Sequence, residues 1–205
     1  MLRFVLLLVL AGGCIIPFAT PPIKGEIGGS TRVGRATRLD GEEMRTASSS
    51  ALHASVGTHV ASATMTNKQK FDVGAGWTME KTKDSMSNGV YLDTSWFIDR
   101  GSNARTSVGA RGEFRWLDDG AKGAAAKLRI DTELFTAGES DFEGESKCGS
   151  QSGKYYGTTA LGVFVEAGRT WAPEMSGGNA WVATAGVTIR LPSSVGVWIG
   201  IPWCK

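Results

Sequence analysis

Lys127-Leu128-Arg129-Ile130-Asp131-Thr132-Glu133-Leu134 decides the fold. Every second side chain is charged, and most of those between are aliphatic. Period-2 alternation over eight residues belongs to a strand with two chemically opposed faces, since successive side chains point to opposite sides of a pleat. The same pattern continues outward from here. Upstream, Val108, Ala110, Phe114 and Trp116 oppose Arg111, Glu113 and Arg115. Before that, Val90, Leu92, Thr94, Trp96 and Ile98 alternate with Tyr91, Asp93, Ser95, Phe97 and Asp99, and Phe71, Val73, Ala75, Trp77 and Met79 with Asp72, Gly74, Gly76, Thr78 and Glu80.

Downstream, Leu161, Val163, Val165 and Ala167 oppose Gly162, Phe164, Glu166 and Gly168, and Trp181, Ala183, Ala185, Val187 and Ile189 oppose Thr184, Gly186, Thr188 and Arg190. Val195, Val197, Ile199, Ile201 and Trp203 oppose Gly196, Trp198 and Gly200, and a softer strand covers Leu52 to Met65. These are eight strands, with two more expected at Ile23–Val33 and Ser140–Cys148. Asn67-Lys68-Gln69, Ser87-Asn88-Gly89, Gly101-Ser102-Asn103, Asp118-Asp119-Gly120, Ser176 to Asn179 and Pro192-Ser193-Ser194 supply the turns. Residues 35–50 and 149–157 read as loops, with a helical turn or two conceivable at 39–46. The expectation is one all-β, antiparallel up-and-down barrel of eight to ten strands.

Composition agrees. The chain has 205 residues, enough for one domain with a core, and 28 glycines, about 14% against a usual ~7%. No Gly-X-Y period runs through it, and seven tryptophans with eight phenylalanines exclude a disordered polymer. Its 22 basic and 20 acidic residues are intermixed, so no nucleic-acid-binding footprint is visible.

The N-terminus reads as an address. Arg3 precedes the apolar run Phe4 to Leu10, and Ala11-Gly12-Gly13 leads to Cys14. Seven apolar residues are far short of the ~20 that span a bilayer as a helix, so 1–13 is expected to be a cleaved signal peptide. The small residues ending in cysteine resemble the lipobox of bacterial lipoproteins, although Ala11 stands where that pattern favours Leu. The resemblance implies acylation of Cys14, and Ile15 after it implies outer-membrane sorting. Cleavage removes Arg3 and leaves 21 basic against 20 acidic residues, a net +1. Residues 14–23, with Pro17, Pro21 and Pro22, are expected to form a lipidated tether, and 24–205 the barrel domain. With Cys14 acylated, Cys148 and Cys204 remain as a pair for a disulfide in an oxidising compartment.

Two closures fit the alternation. A soluble sandwich or lipocalin-like barrel turns its apolar face inward, whereas a transmembrane barrel turns it to lipid. Glycines gather on the polar face (Gly74, Gly76, Gly109, Gly162, Gly168, Gly186, Gly196, Gly200), where a narrow lumen needs small residues. Trp96, Trp116, Trp171, Trp181 and Trp203 fall near strand ends, as in interfacial aromatic girdles. In this respect residues 50–205 resemble small bacterial outer-membrane β-barrels. The last strand resembles their C-terminal assembly signal, except that Cys204 and Lys205 follow Trp203. The resemblance implies an envelope protein, anchored in the outer membrane and periplasmic or surface-facing, with a structural or surface role or a narrow polar pore, and membrane lipid as its partner. A tethered soluble barrel holding an apolar small molecule is the alternative.

Arg111, Glu113 and Arg115 against Arg129, Asp131 and Glu133 have the sign complementarity of a lumenal cross-strand charge network. Catalytic and metal chemistry find little purchase. His53 and His59 share a face but lie about 20 Å apart along a strand. Asp131 and Glu133 have cations beside them, which favours pairing over acid–base or calcium chemistry. Gly74-Ala75-Gly76 lacks the third glycine and helix of a dinucleotide site. In Gly149-Ser150-Gln151-Ser152-Gly153, Gln151 occupies the place of a hydrolase nucleophile. No enzyme, cofactor or metal is expected.

Overall fold

A computed structural model describes residues 14–36, 45–63, 70–83, 85–117, 120–171 and 179–200. They form ten strands: β1 (Cys14–Thr20), β2 (Ile23–Ala36), β3 (Arg45–His59), β4 (Phe71–Lys81), β5 (Met86–Arg100), β6 (Ala104–Leu117), β7 (Lys122–Ser146), β8 (Gly149–Trp171), β9 (Ala180–Leu191) and β10 (Ser193–Gly200). One short helix, α1 (Val60–Ala63), follows β3. Neighbours in sequence pair antiparallel from β2 to β9, and β9 returns to β2 from Ile23↔Leu191 to Gly34↔Ala180. Eight strands therefore close an up-and-down barrel.

The remaining length builds a projection. β7 and β8 run on past the barrel as one long hairpin; β10 pairs with the extended part of β8 (Ser193↔Tyr156 to Gly200↔Gly149), and β1 pairs with β10. The result is a four-stranded flap carried on one wall. Gly157, with φ of +112°, sits opposite Gly138 where β8 passes from flap to barrel. Few side chains tolerate that backbone, so glycine marks the junction.

Several expectations need correcting. Cys14–Thr20 is a paired strand and no free tether, because β10 offers it an open edge. Ser140–Cys148 is no separate strand but the outer half of β7, and the expected loop at 149–157 is the outer half of β8. The softer strand stops at His59, where the chain turns into α1, and it starts at Arg45. Val195 to Gly200 builds the flap and does not close the barrel; β9 does. The helical turn at 39–46 is absent from 45–46, which are strand, and 37–44 lie outside the described residues. So do 1–13, Trp203 and Cys204.

The burial pattern is inverted relative to a water-soluble domain. Leu128, Leu134, Leu161, Ile98 and Trp181 are each more than 60% exposed. Meanwhile Arg111, Arg190, Glu80, Glu133 and Asp72 lie under 2% exposed. Glycine explains how so much ionic bulk fits. Gly28, Gly186 and Phe164 form one row across β2, β9 and β8, and Gly57, Gly76 and Tyr91 another across β3, β4 and β5. A β-carbon on Gly186 would come within 2.6 Å of the Gly28 α-carbon. The space left by Gly57 and Gly76 holds the Tyr91 ring. In the flap, Phe18 and Phe142 lean over Gly196 and Gly153 between them, with ring centroids 6.0 Å apart.

Trp116, Trp171 and Trp181 do fall at one barrel end, joined by Trp77, whose ring meets Trp116 edge-on at 5.0 Å. Trp96 lies toward the other end, opposite Phe71.

Candidate functional site: a buried ionic lattice

Inward positions on each strand carry the charges that the alternation placed on one face, and closure brings them together. Arg111 is the hub. Its Nη1 lies 2.8 Å from Glu26 and 3.9 Å from Glu166, and its Nη2 lies 2.9 Å from Asp93. Glu26 also accepts Lys24 (3.2 Å) and Arg129 (2.7 Å), and Asp131 takes Lys24 at 3.0 Å and Arg129 at 2.7 Å. Arg129 also reaches Glu166 at 3.6 Å.

Toward the tryptophan-rich end, Lys127 bridges Glu166 (2.5 Å) and Glu113 (2.8 Å), Arg115 joins Glu113 to Glu80, and Arg32 closes on Glu80 at 2.9 Å. Toward the opposite end, Asp93 meets His59 at 3.5 Å, His59 meets Asp72 at 3.2 Å, and Arg190 joins Asp72 (2.8 Å) to Glu133 (2.7 Å). Arg105 ends the series on Glu133 at 2.9 Å.

Among the described residues, eight basic and eight acidic side chains thus form one connected lattice from Arg32 to Arg105, with His59 as a link. The equality matters, because a buried ion without a partner is costly by several kcal/mol. Rings help hold the cations: Arg111 lies 4.2 Å over Tyr91, Arg129 4.2 Å over Phe164, and Arg105 sits 4.6 and 4.7 Å from Phe97 and Phe135.

α1 lies against the lumen end near Arg190. The Ala61 amide donates to Asp72 Oδ1 at 2.9 Å, and Arg190 Nη1 donates to the Ser62 hydroxyl at 3.1 Å. Ala61 and Ser62 are fully buried.

All six residues expected in a lumenal network, Arg111, Glu113, Arg115, Arg129, Asp131 and Glu133, are buried in it. Their expected partners are corrected, however. The register sets Arg111 opposite Lys127, and Arg129, Asp131 and Glu133 opposite Gly109, Ser107 and Arg105. Sign complementarity is met straight across the sheet at other pairs, Asp93 with Arg111, Arg105 with Glu133 and Arg129 with Glu166, and across the lumen where Glu26 meets Arg111 and Arg129. Asp99, placed on the polar face by alternation, is exposed, because the β5–β6 register slips between Phe97 and Asp99.

Lys24, Glu26, Arg32 and Arg105 were missed. The even-numbered series Lys24, Glu26, Gly28, Ser30, Arg32 carried the signal, as did Arg105 two positions before Ser107.

His53 and His59 both point inward, as a shared face requires. His59 is also 3.2 Å from the Tyr91 hydroxyl; His53 is fully buried beside Phe164, at 6.3 Å between centroids. Among the described residues no group of three or more His, Cys, Asp or Glu is placed to hold a metal ion. Asp131 and Glu133 are each matched by two cations; Glu133 meets them through both oxygens, whereas Asp131 meets both through Oδ2 and its buried Oδ1 has no hydrogen-bond partner.

On the flap, Lys154 reaches Glu139 and, at 3.6 Å, Asp141. The hydrogen bond to Glu139 and the two carboxylates hold its ammonium above the ordinary lysine range. Cys14 and Cys148 both lie at the distal tip of the flap. Gly200 pairs with Cys14 on one side and with Gly149, next to Cys148, on the other. No protein-family profile and no curated protein matches the chain.

Proposed function

We propose that the chain is a lipid-anchored outer-membrane β-barrel with a closed ionic lumen and a structural or surface role. One observation carries the reading: the barrel wall is apolar where a soluble protein is polar, and its interior is ionic where a soluble protein is apolar. Lipid is the solvent that makes this distribution favourable. Leu161 to Trp171 on β8 span ten residue steps, ~33 Å along the strand and ~25 Å at a tilt near 40°, the height of a bilayer's apolar band. No helix among the described residues is long and apolar enough to cross a membrane. The matched lattice and the seated α1 favour a sealed lumen over a pore. An ionic interior is also the wrong lining for an apolar ligand.

Fractionation of the full chain against Cys14→Ser tests the anchor and the wall separately. Wild type is expected in the membrane fraction, and the variant is expected to stay there, extracted by detergent but not by carbonate. A variant that folds in buffer without detergent overturns the barrel-wall reading. A wild-type protein without an acylated Cys14 overturns the anchor.

The cysteine pair is proposed to be Cys148–Cys204. Cys204 follows four positions after Gly200, itself across from the Cys148 turn. Non-reducing mass spectrometry of the purified protein is expected to give that linked peptide. A Cys14–Cys148 peptide would overturn both the pairing and the acylation.

A further inference from the structure

The outer wall is not uniformly convex. Two adjoining hollows of about 620 and 540 Å³ form a furrow across it, sharing Leu128 and Ala167 on their borders. Small outward residues make the depression: Ala126 and Ala167 lie below the tryptophan-rich rim, and Ala183 and Ala185 continue it toward mid-wall. Larger neighbours, Leu92 among them, stand at its sides.

At the rim end of the furrow stands Arg169. Its register sets it between Ala126 on β7 and Trp181 on β9, and its side chain is on the exposed, outward face. No carboxylate partners it among the described residues. A guanidinium on an apolar wall, two residues inside the strand end, has no compensating carboxylate among the described residues at the level where indoles sit. Trp181, 67% exposed, borders the same hollow.

We infer that this furrow binds one anionic phospholipid, with its phosphate at Arg169 and an acyl chain laid along Ala126, Ala167 and Ala183. The inference rests on the wall facing lipid. A guanidinium presents a planar fork of donors that matches phosphate oxygens in a bidentate geometry, and the contact is strengthened near hydrocarbon. A flexible chain can follow a hollow that runs across several strands. A second copy of this barrel would bring an apolar wall and another arginine, so Arg169 argues for lipid.

The test uses the full chain reconstituted in phosphatidylcholine vesicles containing phosphatidylglycerol, released in mild detergent and examined by native mass spectrometry. Wild type is expected to keep one phosphatidylglycerol in preference to phosphatidylcholine. Arg169→Gln is expected to lower that retention roughly tenfold, the loss of one charge-assisted contact. Ala126→Leu with Ala167→Leu is expected to lower it with Arg169 intact, by filling the furrow. Equal retention of the two lipids by wild type, or unchanged retention by Arg169→Gln, overturns the site while the wall reading stands. Failure of the chain to enter the vesicles at all overturns both.

Discussion

Arg111→Ala is expected to remove about 3–5 kcal/mol of folding stability, the cost of breaking a buried ion pair from one side. Arg111 is 1% exposed, and Glu26, Asp93 and Glu166 all direct carboxylate oxygens at it. The variant leaves Glu26 with Lys24 and Arg129, but strips Asp93 of its one arginine. Tyr91 also loses the cation lying 4.2 Å over its ring. Urea unfolding of the full chain in lipid vesicles measures the effect as a shift in midpoint. Arg111→Met combined with Asp93→Asn is expected to recover much of it, because an uncharged pair leaves fewer orphaned ions. A loss under ~1 kcal/mol for Arg111→Ala would mean that water screens the lattice as it screens a surface pair, and that the lumen is open.

The second large effect concerns the wall. Val187 lies mid-strand on β9 between Ile27 and Val163, and all three are about half exposed. In water, arginine at such a position is nearly neutral, within ~0.5 kcal/mol. In a bilayer midplane it costs ~2–4 kcal/mol. Val187→Arg is therefore expected to unfold at clearly lower urea than wild type in vesicles. Asp99, turned outward by the register slip near the end of β5, shows where the wall already tolerates charge. A neutral Val187→Arg would place this face in water.

The core of this arrangement was legible in residues 127–134, since strict alternation leaves a strand only two faces and a closed sheet only two ways to place them. Glycine on the polar side then favoured the ionic interior, and Gly28 facing Gly186 shows why. What the sequence concealed was tertiary. Two of the four flap segments have poor strand signals: Cys14–Thr20 carries a proline, and 149–157 is rich in glycine and serine. They are strands because neighbours supply edges to pair with, a long-range fact that no local propensity encodes. The partner of each charge was hidden for a similar reason. Alternation tells which face Glu26 occupies, but only closure of β2 on β9 carries it to Arg111, on a strand 85 positions later in sequence. Asp99 was misplaced because one residue of register slip reverses the face, and nothing in Trp96-Phe97-Ile98-Asp99 announces the slip.

The lattice has one more consequence, before the barrel exists. In an unfolded chain the stretch from Leu161 to Val165, or from Leu128 to Leu134, has the β-propensity that drives chains to stack on one another. Ionised side chains interrupt the second stretch at every other position, and mutual hydration keeps such strands apart. The first stretch has only Glu166 beside it, and the strands that later flank it bring Asp131 and Glu133 on β7 and Arg190 on β9. The charges that lock the closed barrel are thus the same ones that keep its strands from aggregating while they are still apart. Each substitution that empties the lattice is paid for twice, once in the folded wall and once in the fraction of chains that reach it.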